Sequence, residues 1–165
     1  MGSGKTSVGL RLASTLGYDF VDTDKLIEQR AGRKISEIFA TDGEPAFRAM
    51  ESEAIANLTG SQSKVIATGG GAVLDPQNRH VFTTLGLTVY LKATARELYQ
   101  RVKNDTNRPL LQVEDPKAEV ARLLAAREPL YRLAADIIVD TEDLSLEEVN
   151  DRLIDELAKR TLGDG

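Results

Sequence analysis

The chain opens Met1-Gly2-Ser3-Gly4-Lys5-Thr6, the closing half of a glycine-rich phosphate-binding loop. In the full pattern G-x-x-x-x-G-K-[ST], backbone N–H groups cradle phosphates, the lysine reaches the β- and γ-phosphates, and the hydroxyl ligates Mg²⁺. Gly4, Lys5 and Thr6 supply its end, and the leading glycine would fall ahead of Met1. Six such residues also suit a solvated turn carrying a lysine. Val8, Leu12 and Leu16 recur at helical spacing, however, so a helix opens directly after the loop and aims its first amides at a bound anion. A loop of this kind joins a strand to a helix, which constrains the chain to a layered α/β architecture.

The rest of the sequence supplies the matching parts. Apolar runs rich in β-branched or aromatic residues predict strands at 18–21, 64–68, 87–91 and 136–139. Thr94 with Glu97, and Ser145 with Glu148, read as capping boxes, while Asp75-Pro76 and Asp115-Pro116 place a capping acid before a proline at the first helical position. Strands alternating with helices imply a mostly parallel sheet covered on both faces. Residues 25–59 carry helical patterning without a strand and predict a helical insertion, and the polar stretch at about 104–116 predicts a mobile lid.

At 165 residues the chain is one domain long. A net charge of −5 argues against a general nucleic-acid binder, and low aromatic content without tryptophan argues against a base-stacking platform. The absence of cysteine agrees with a cytoplasmic location, and no apolar run is long enough to span a membrane.

Three further segments carry chemistry. Asp22 and Asp24 close the first predicted strand at i and i+2, so alternation puts both carboxylates on one side of the sheet's carboxyl end. One acid beside Mg²⁺ and one facing an alcohol suits phosphoryl transfer, and a turn with a helix cap suits the same residues. Gly69, Gly70 and Gly71 follow the second strand, where they serve either a close backbone approach to a ligand or a plain turn. Arginines 48, 101, 108 and 127 adjoin these elements, and Glu51 stands three residues after Arg48 on a predicted helix, placed to hold its guanidinium. His80 has no companion ligand and is assigned to surface or local packing.

In order, Gly2-Ser3-Gly4-Lys5-Thr6, Asp22-Thr23-Asp24, the run from Gly43 to Glu51, Thr68-Gly69-Gly70-Gly71, Asn107-Arg108-Pro109-Leu110-Leu111 and Arg127-Glu128-Pro129-Leu130-Tyr131-Arg132 closely resemble the shikimate kinases. The resemblance runs from Met1 to about Asp140. It implies a three-layer P-loop kinase fold with five parallel strands, a helical shikimate-binding region at about 25–59 and a lid. It also implies transfer of the ATP γ-phosphate to the 3-hydroxyl of shikimate, on the way to chorismate and the aromatic amino acids. Lys5, Asp24 and Arg108 are the implied catalytic residues. Gly2, Ser3, Gly4, Lys5, Thr6, Ser7, Arg101 and Arg108 are implied on ATP, with Arg101 along the adenine and Arg108 closing from the lid.

Thr6, and Asp22 through water, are implied at Mg²⁺. Asp24, Arg48, Gly69, Gly70, Gly71 and Arg127 are implied on shikimate, with Glu51 orienting Arg48. The resemblance favours a monomer without an obligate protein partner. A kinase for another small hydroxy acid, such as gluconate, and a P-loop remnant that binds without turnover are the competing readings.

The family's first strand and leading loop glycine are missing from this sequence, and that strand belongs in the middle of the sheet. Its loss leaves two neighbouring edges unpaired. Restoring about ten apolar residues ending in glycine is therefore expected to raise both stability and activity.

Overall fold

A computed structural model describes residues 2–104 and 109–163. Helix α1 (Lys5–Leu16) starts directly after Gly4, whose φ of 83° lies in the left-handed region that favours glycine. Strand β1 (Asp19–Asp22) follows, then three helices without a strand: α2 (Thr23–Ala31), α3 (Ile35–Thr41) and α4 (Gly43–Ala56). Strand β2 (Lys64–Ala67), helix α5 (Pro76–Leu85), strand β3 (Val89–Lys92), helix α6 (Ala95–Val102), helix α7 (Pro116–Ala134), strand β4 (Ile137–Asp140) and helix α8 (Leu146–Gly163) complete the order. The four predicted strands are all present, each displaced by no more than two residues.

The capping chemistry legible in the sequence sets the helix starts. Thr94 and Glu97 exchange a reciprocal capping box at α6, and Ser145 and Glu148 do the same before α8. Asp75 accepts the Gln77 N–H at 2.8 Å, and Asp115 accepts that of Ala118 at 3.0 Å. Each cap satisfies an amide that the helix itself leaves open, worth about 1 kcal/mol.

β1 pairs with β2 in parallel, Asp19 opposite Lys64 through Asp22 opposite Ala67, and β3 pairs with β4, Val89 opposite Ile137 through Lys92 opposite Asp140. The four strands thus form two separate pairs. Between them lies a cavity of about 890 Å³, lined by β2, β3, α1 and α8 through side chains such as Val65, Ile66, Val89, Leu91, Leu12 and Leu153. Among the described residues, β2 and β3 therefore each border an apolar space with one hydrogen-bonded neighbouring strand.

Packing divides along the same lines. Val8 and Leu12 of α1 meet Ile137 and Val139 of β4 and Val149 and Leu153 of α8. The predicted insertion has its own small core of Ile27, Ile38, Phe47 and Ala54. Ile55 at the end of α4, fully buried, packs with Ala72, Val73 and Phe82 and so ties the insertion to the glycine segment after β2. Burying a side chain of that size contributes about 1.5–3 kcal/mol, enough to hold α4 in one position relative to the glycines. In the predicted lid, Pro109–Leu111 forms a single 3₁₀ turn with Leu111 packed against α6 and α7. Asn107 and Arg108 lie outside the described residues. Among the described residues, no helix is long and apolar enough to cross a membrane.

Candidate active site

The loop brings its lysine onto two acids. Lys5 Nζ lies 3.8 Å from Asp24 Oδ2 and 4.0 Å from Asp22 Oδ2. The Thr6 hydroxyl donates to Asp22 Oδ2 at 3.1 Å, and the Asp24 N–H donates to Asp22 Oδ1 at 3.0 Å. Asp22 is buried and caps α2, so the site reading and the capping reading of this residue hold together. The route by which the two acids converge differs from the expected one. β1 ends at Asp22 and Asp24 stands in the first turn of α2, so the strand-to-helix turn, and not strand alternation, brings the second carboxylate to Lys5.

Arg101 Nη1 reaches the Gly2 carbonyl at 3.4 Å, which places α6 against the start of the loop. Ser3 and Lys5 border the cavity, and Ser7 is exposed on the first turn of α1. A hydroxyl and a carboxylate side by side at the head of a helix form an all-oxygen donor pair. Mg²⁺ suits such a pair, because it keeps several waters and takes few protein ligands. Among the described residues there is no group of three or more His, Asp or Glu side chains that could hold a metal, and the Thr6 hydroxyl with Asp22 Oδ2 is the oxygen pair at the loop.

On the other side of Asp24, the glycine segment meets the insertion. Arg48 Nη1 donates to Glu51 Oε2 at 2.8 Å, and Glu44 Oε1 accepts from Arg48 Nη2 at 2.8 Å and Nε at 3.2 Å. Glu44 was not predicted for the site, although its i, i+4 spacing from Arg48 carries that signal. Glu51 is 1% exposed, and its second oxygen has no hydrogen-bond partner among the described residues. Burial raises the Glu51 carboxyl above its ordinary range, with Arg48 pulling it back and neighbouring Asp24 pushing it further up.

The glycines let backbone lie directly on these side chains. A methyl group at Gly71 would overlap the Arg48 guanidinium, and one at Gly69 would overlap Glu51 Oε1 and come within 3.1 Å of Asp24 Oδ1. Arg127 on α7 is 7% exposed and, among the described residues, forms no salt bridge. Its charge acts on both Glu51 and the Tyr131 hydroxyl. Buried beside Glu51 without a direct salt bridge to it, the guanidinium would gain from an arriving anion that pairs with it.

Gly71→Ala tests this contact. The backbone at Gly71 has an ordinary φ of −89°, and the three atoms nearest an added methyl all belong to the Arg48 guanidinium, which would have to shift on its two carboxylates. The expected result is an acid-substrate KM raised about tenfold, the order of one lost charge-assisted hydrogen bond, with the melting temperature held within about 3 °C. An unchanged KM would separate Arg48 from the substrate.

Predicted residues from segments far apart in sequence therefore converge on Asp24. A glycine-rich loop with its lysine on one side of that carboxylate, and Glu51 with its partner Arg48 beside the glycine segment on the other, are the arrangement of a P-loop small-molecule kinase. The sequence model of the shikimate kinase family matches residues 1–158, and the chain belongs to that family. A shikimate kinase of Halorhodospira halophila is 46% identical over 157 residues, covering 95% of this chain and 89% of the relative. One of Thermodesulfovibrio yellowstonii is 46% identical over 163 residues, covering 99% and 94%. The solved shikimate kinase of Acinetobacter baumannii in complex with shikimate superposes with a TM-score of 0.95 at 38% identity, covering 98% of this chain and 90% of that one.

Proposed function

We propose that the chain transfers the γ-phosphate of ATP to the 3-hydroxyl of shikimate, giving shikimate 3-phosphate and ADP, with Mg²⁺ as cofactor. The single observation that supports this most is Asp24, which stands 3.8 Å from the loop lysine while its other oxygen faces Gly69, in the glycine segment against which Arg48 and Glu51 of α4 pack.

Phosphoryl transfer passes through a loose transition state, so the protein's work is positioning and charge neutralisation. Lys5 places positive charge where it spreads over the γ-phosphate oxygens. Asp24 hydrogen-bonds the attacking hydroxyl and takes its proton late, as the new O–P bond forms and the bond to the β-phosphate oxygen breaks. Arg48 and Arg127 grip the shikimate carboxylate, and Glu51 holds Arg48 in line for it. Thr6 and Asp22 would hold Mg²⁺, which neutralises β- and γ-phosphate charge when bound. Arg108 closes on the phosphates from the lid and Arg101 borders the adenine side. The enzyme acts as a monomer in the cytoplasm without an obligate partner.

A coupled ADP assay with ATP and Mg²⁺ tests the reading. ADP formation is expected to rise at least about tenfold when shikimate is added, and gluconate is expected to give no such rise. Equal ADP with and without shikimate would end the assignment. Shikimate binding without turnover would replace it by a binding role.

A further inference from the structure

Tyr131 stands four residues after Arg127 on α7, so both project from one face of that helix. Its hydroxyl donates to the Gly70 carbonyl at 2.6 Å, across 61 residues of sequence. Burial raises the pKa of this hydroxyl, and Arg127, through its charge and a hydrogen bond to the same oxygen, opposes the rise. The ring is held from behind by Tyr90 of β3, with centroids 5.0 Å apart and planes tilted by 31°. It also packs beside the cluster of Ile55, Ala72, Val73 and Phe82. A donor so confined acts as a fixed peg on the glycine segment.

The atom it holds decides the direction of another. The Gly70 carbonyl and the Gly71 N–H belong to one planar trans peptide and point in opposite directions. Glycine on both sides of that peptide leaves the flanking torsions unusually free, so the plane would rotate easily without an anchor. Pinning the carbonyl to Tyr131 aims the Gly71 N–H away from α7. Among the described residues, neither the Gly70 nor the Gly71 N–H finds an acceptor. Arg48 packs directly against Gly71, so this amide belongs to the hollow bounded by the guanidinium groups.

We propose that Tyr131 is a positioning residue for the acid substrate: it locks the Gly70–Gly71 peptide so that the glycine amides meet shikimate in fixed register with Arg127. The peg touches neither the nucleotide nor the transferred phosphate. It acts on affinity for the acid and leaves the chemical step alone. The inference rests on the functional reading above, and wild-type shikimate turnover measured in parallel separates the two.

Tyr131→Phe keeps the ring and removes only the hydroxyl. The expected result is a shikimate KM raised about five- to tenfold, the order of one buried hydrogen bond, with kcat and the ATP KM within about twofold of wild type. Calorimetric titration with shikimate in the absence of ATP should show the same loss of affinity, and its stoichiometry reports the folded fraction of the variant. A shikimate affinity unchanged from wild type overturns the proposal. So does a loss falling equally on shikimate and ATP together with a large drop in melting temperature, which is the mark of a purely structural tyrosine. A wild-type chain that neither binds nor phosphorylates shikimate overturns both this proposal and the reading beneath it.

Discussion

Asp24→Asn is expected to lower kcat by about 10²–10⁴-fold, the range over which a positioned general base contributes, while nucleotide binding survives. The substitution is nearly isosteric, and the Asp24 N–H can still donate to Asp22, so the turn that caps α2 is kept. Lost charge in the first turn of a helix costs about 0.3–1 kcal/mol, too little to unfold the chain. Lys5, 3.8 Å from Asp24 Oδ2, sheds one of its two carboxylate neighbours and keeps Asp22 at 4.0 Å, so its hold on phosphate should be equal or stronger. The effect is thus predicted on kcat, with the ATP dissociation constant equal to or below that of wild type. A coupled ADP assay gives the first quantity and calorimetry the second. Turnover within about threefold of wild type would remove Asp24 as the base.

Local features of this protein were legible in the sequence because their causes are local. Thr94 and Glu97 announce a helix start within four residues, and Asp115-Pro116 does the same for α7. The four strands carry enough β-branched residues to be found, and the insertion is conspicuous by its lack of one. What could not be read locally is where β1 stops. With a strand only four residues long, the change from period two to a helical turn falls between Asp22 and Thr23, and the same two aspartates fit either side of it.

Tertiary juxtapositions were beyond local patterns altogether. Arg48 packs on Gly71 because Ile55 anchors α4 to the segment after β2, a contact set by burial. Tyr131 lay inside a recognised motif without a role, since nothing local links it to a carbonyl 61 residues away. The ordered motifs implied that Arg48, Asp24 and the glycines meet. They implied that Glu51 would hold Arg48, and assigned no role to Glu44, which holds the same guanidinium from the other side.

Joining about ten apolar residues ending in glycine ahead of Met1 is expected to raise the melting temperature by about 6–12 °C, with a parallel gain in kcat/KM for ATP. The cavity between the strand pairs, about 890 Å³, is bordered by β2 and β3 along the edges that face away from their paired neighbours β1 and β4. Its walls are β2 and β3 on the two sides and α1 and α8 across the faces. Gly69, Gly70, Ser3 and Lys5 line one end, and Ser61, Ser63, Gly86 and Thr88 the other. An extended segment running parallel to β2 and β3 would leave the slot where Ser3 and the loop begin. A fully extended strand of five residues spans about 17 Å, comparable to its four-residue neighbours.

Each valine or isoleucine seated there contributes about 1.5–3 kcal/mol, and each ladder hydrogen bond to the open edges of β2 and β3 adds about 0.5–1.5 kcal/mol. Ordering the segment costs about 1–2 kcal/mol per residue and offsets much of this, and the predicted shift corresponds to a net gain of about 3 kcal/mol. For a domain of this size each kcal/mol shifts the melting temperature by about 2–4 °C. The gain in activity follows from geometry, because a loop anchored on a central strand holds Lys5 and its amides in one place for the phosphates. A matched extension with proline at its centre cannot complete the ladder and should give no increase. Equal melting temperatures for the extended, the proline-bearing and the unextended chains would show that the slot does not accept a strand.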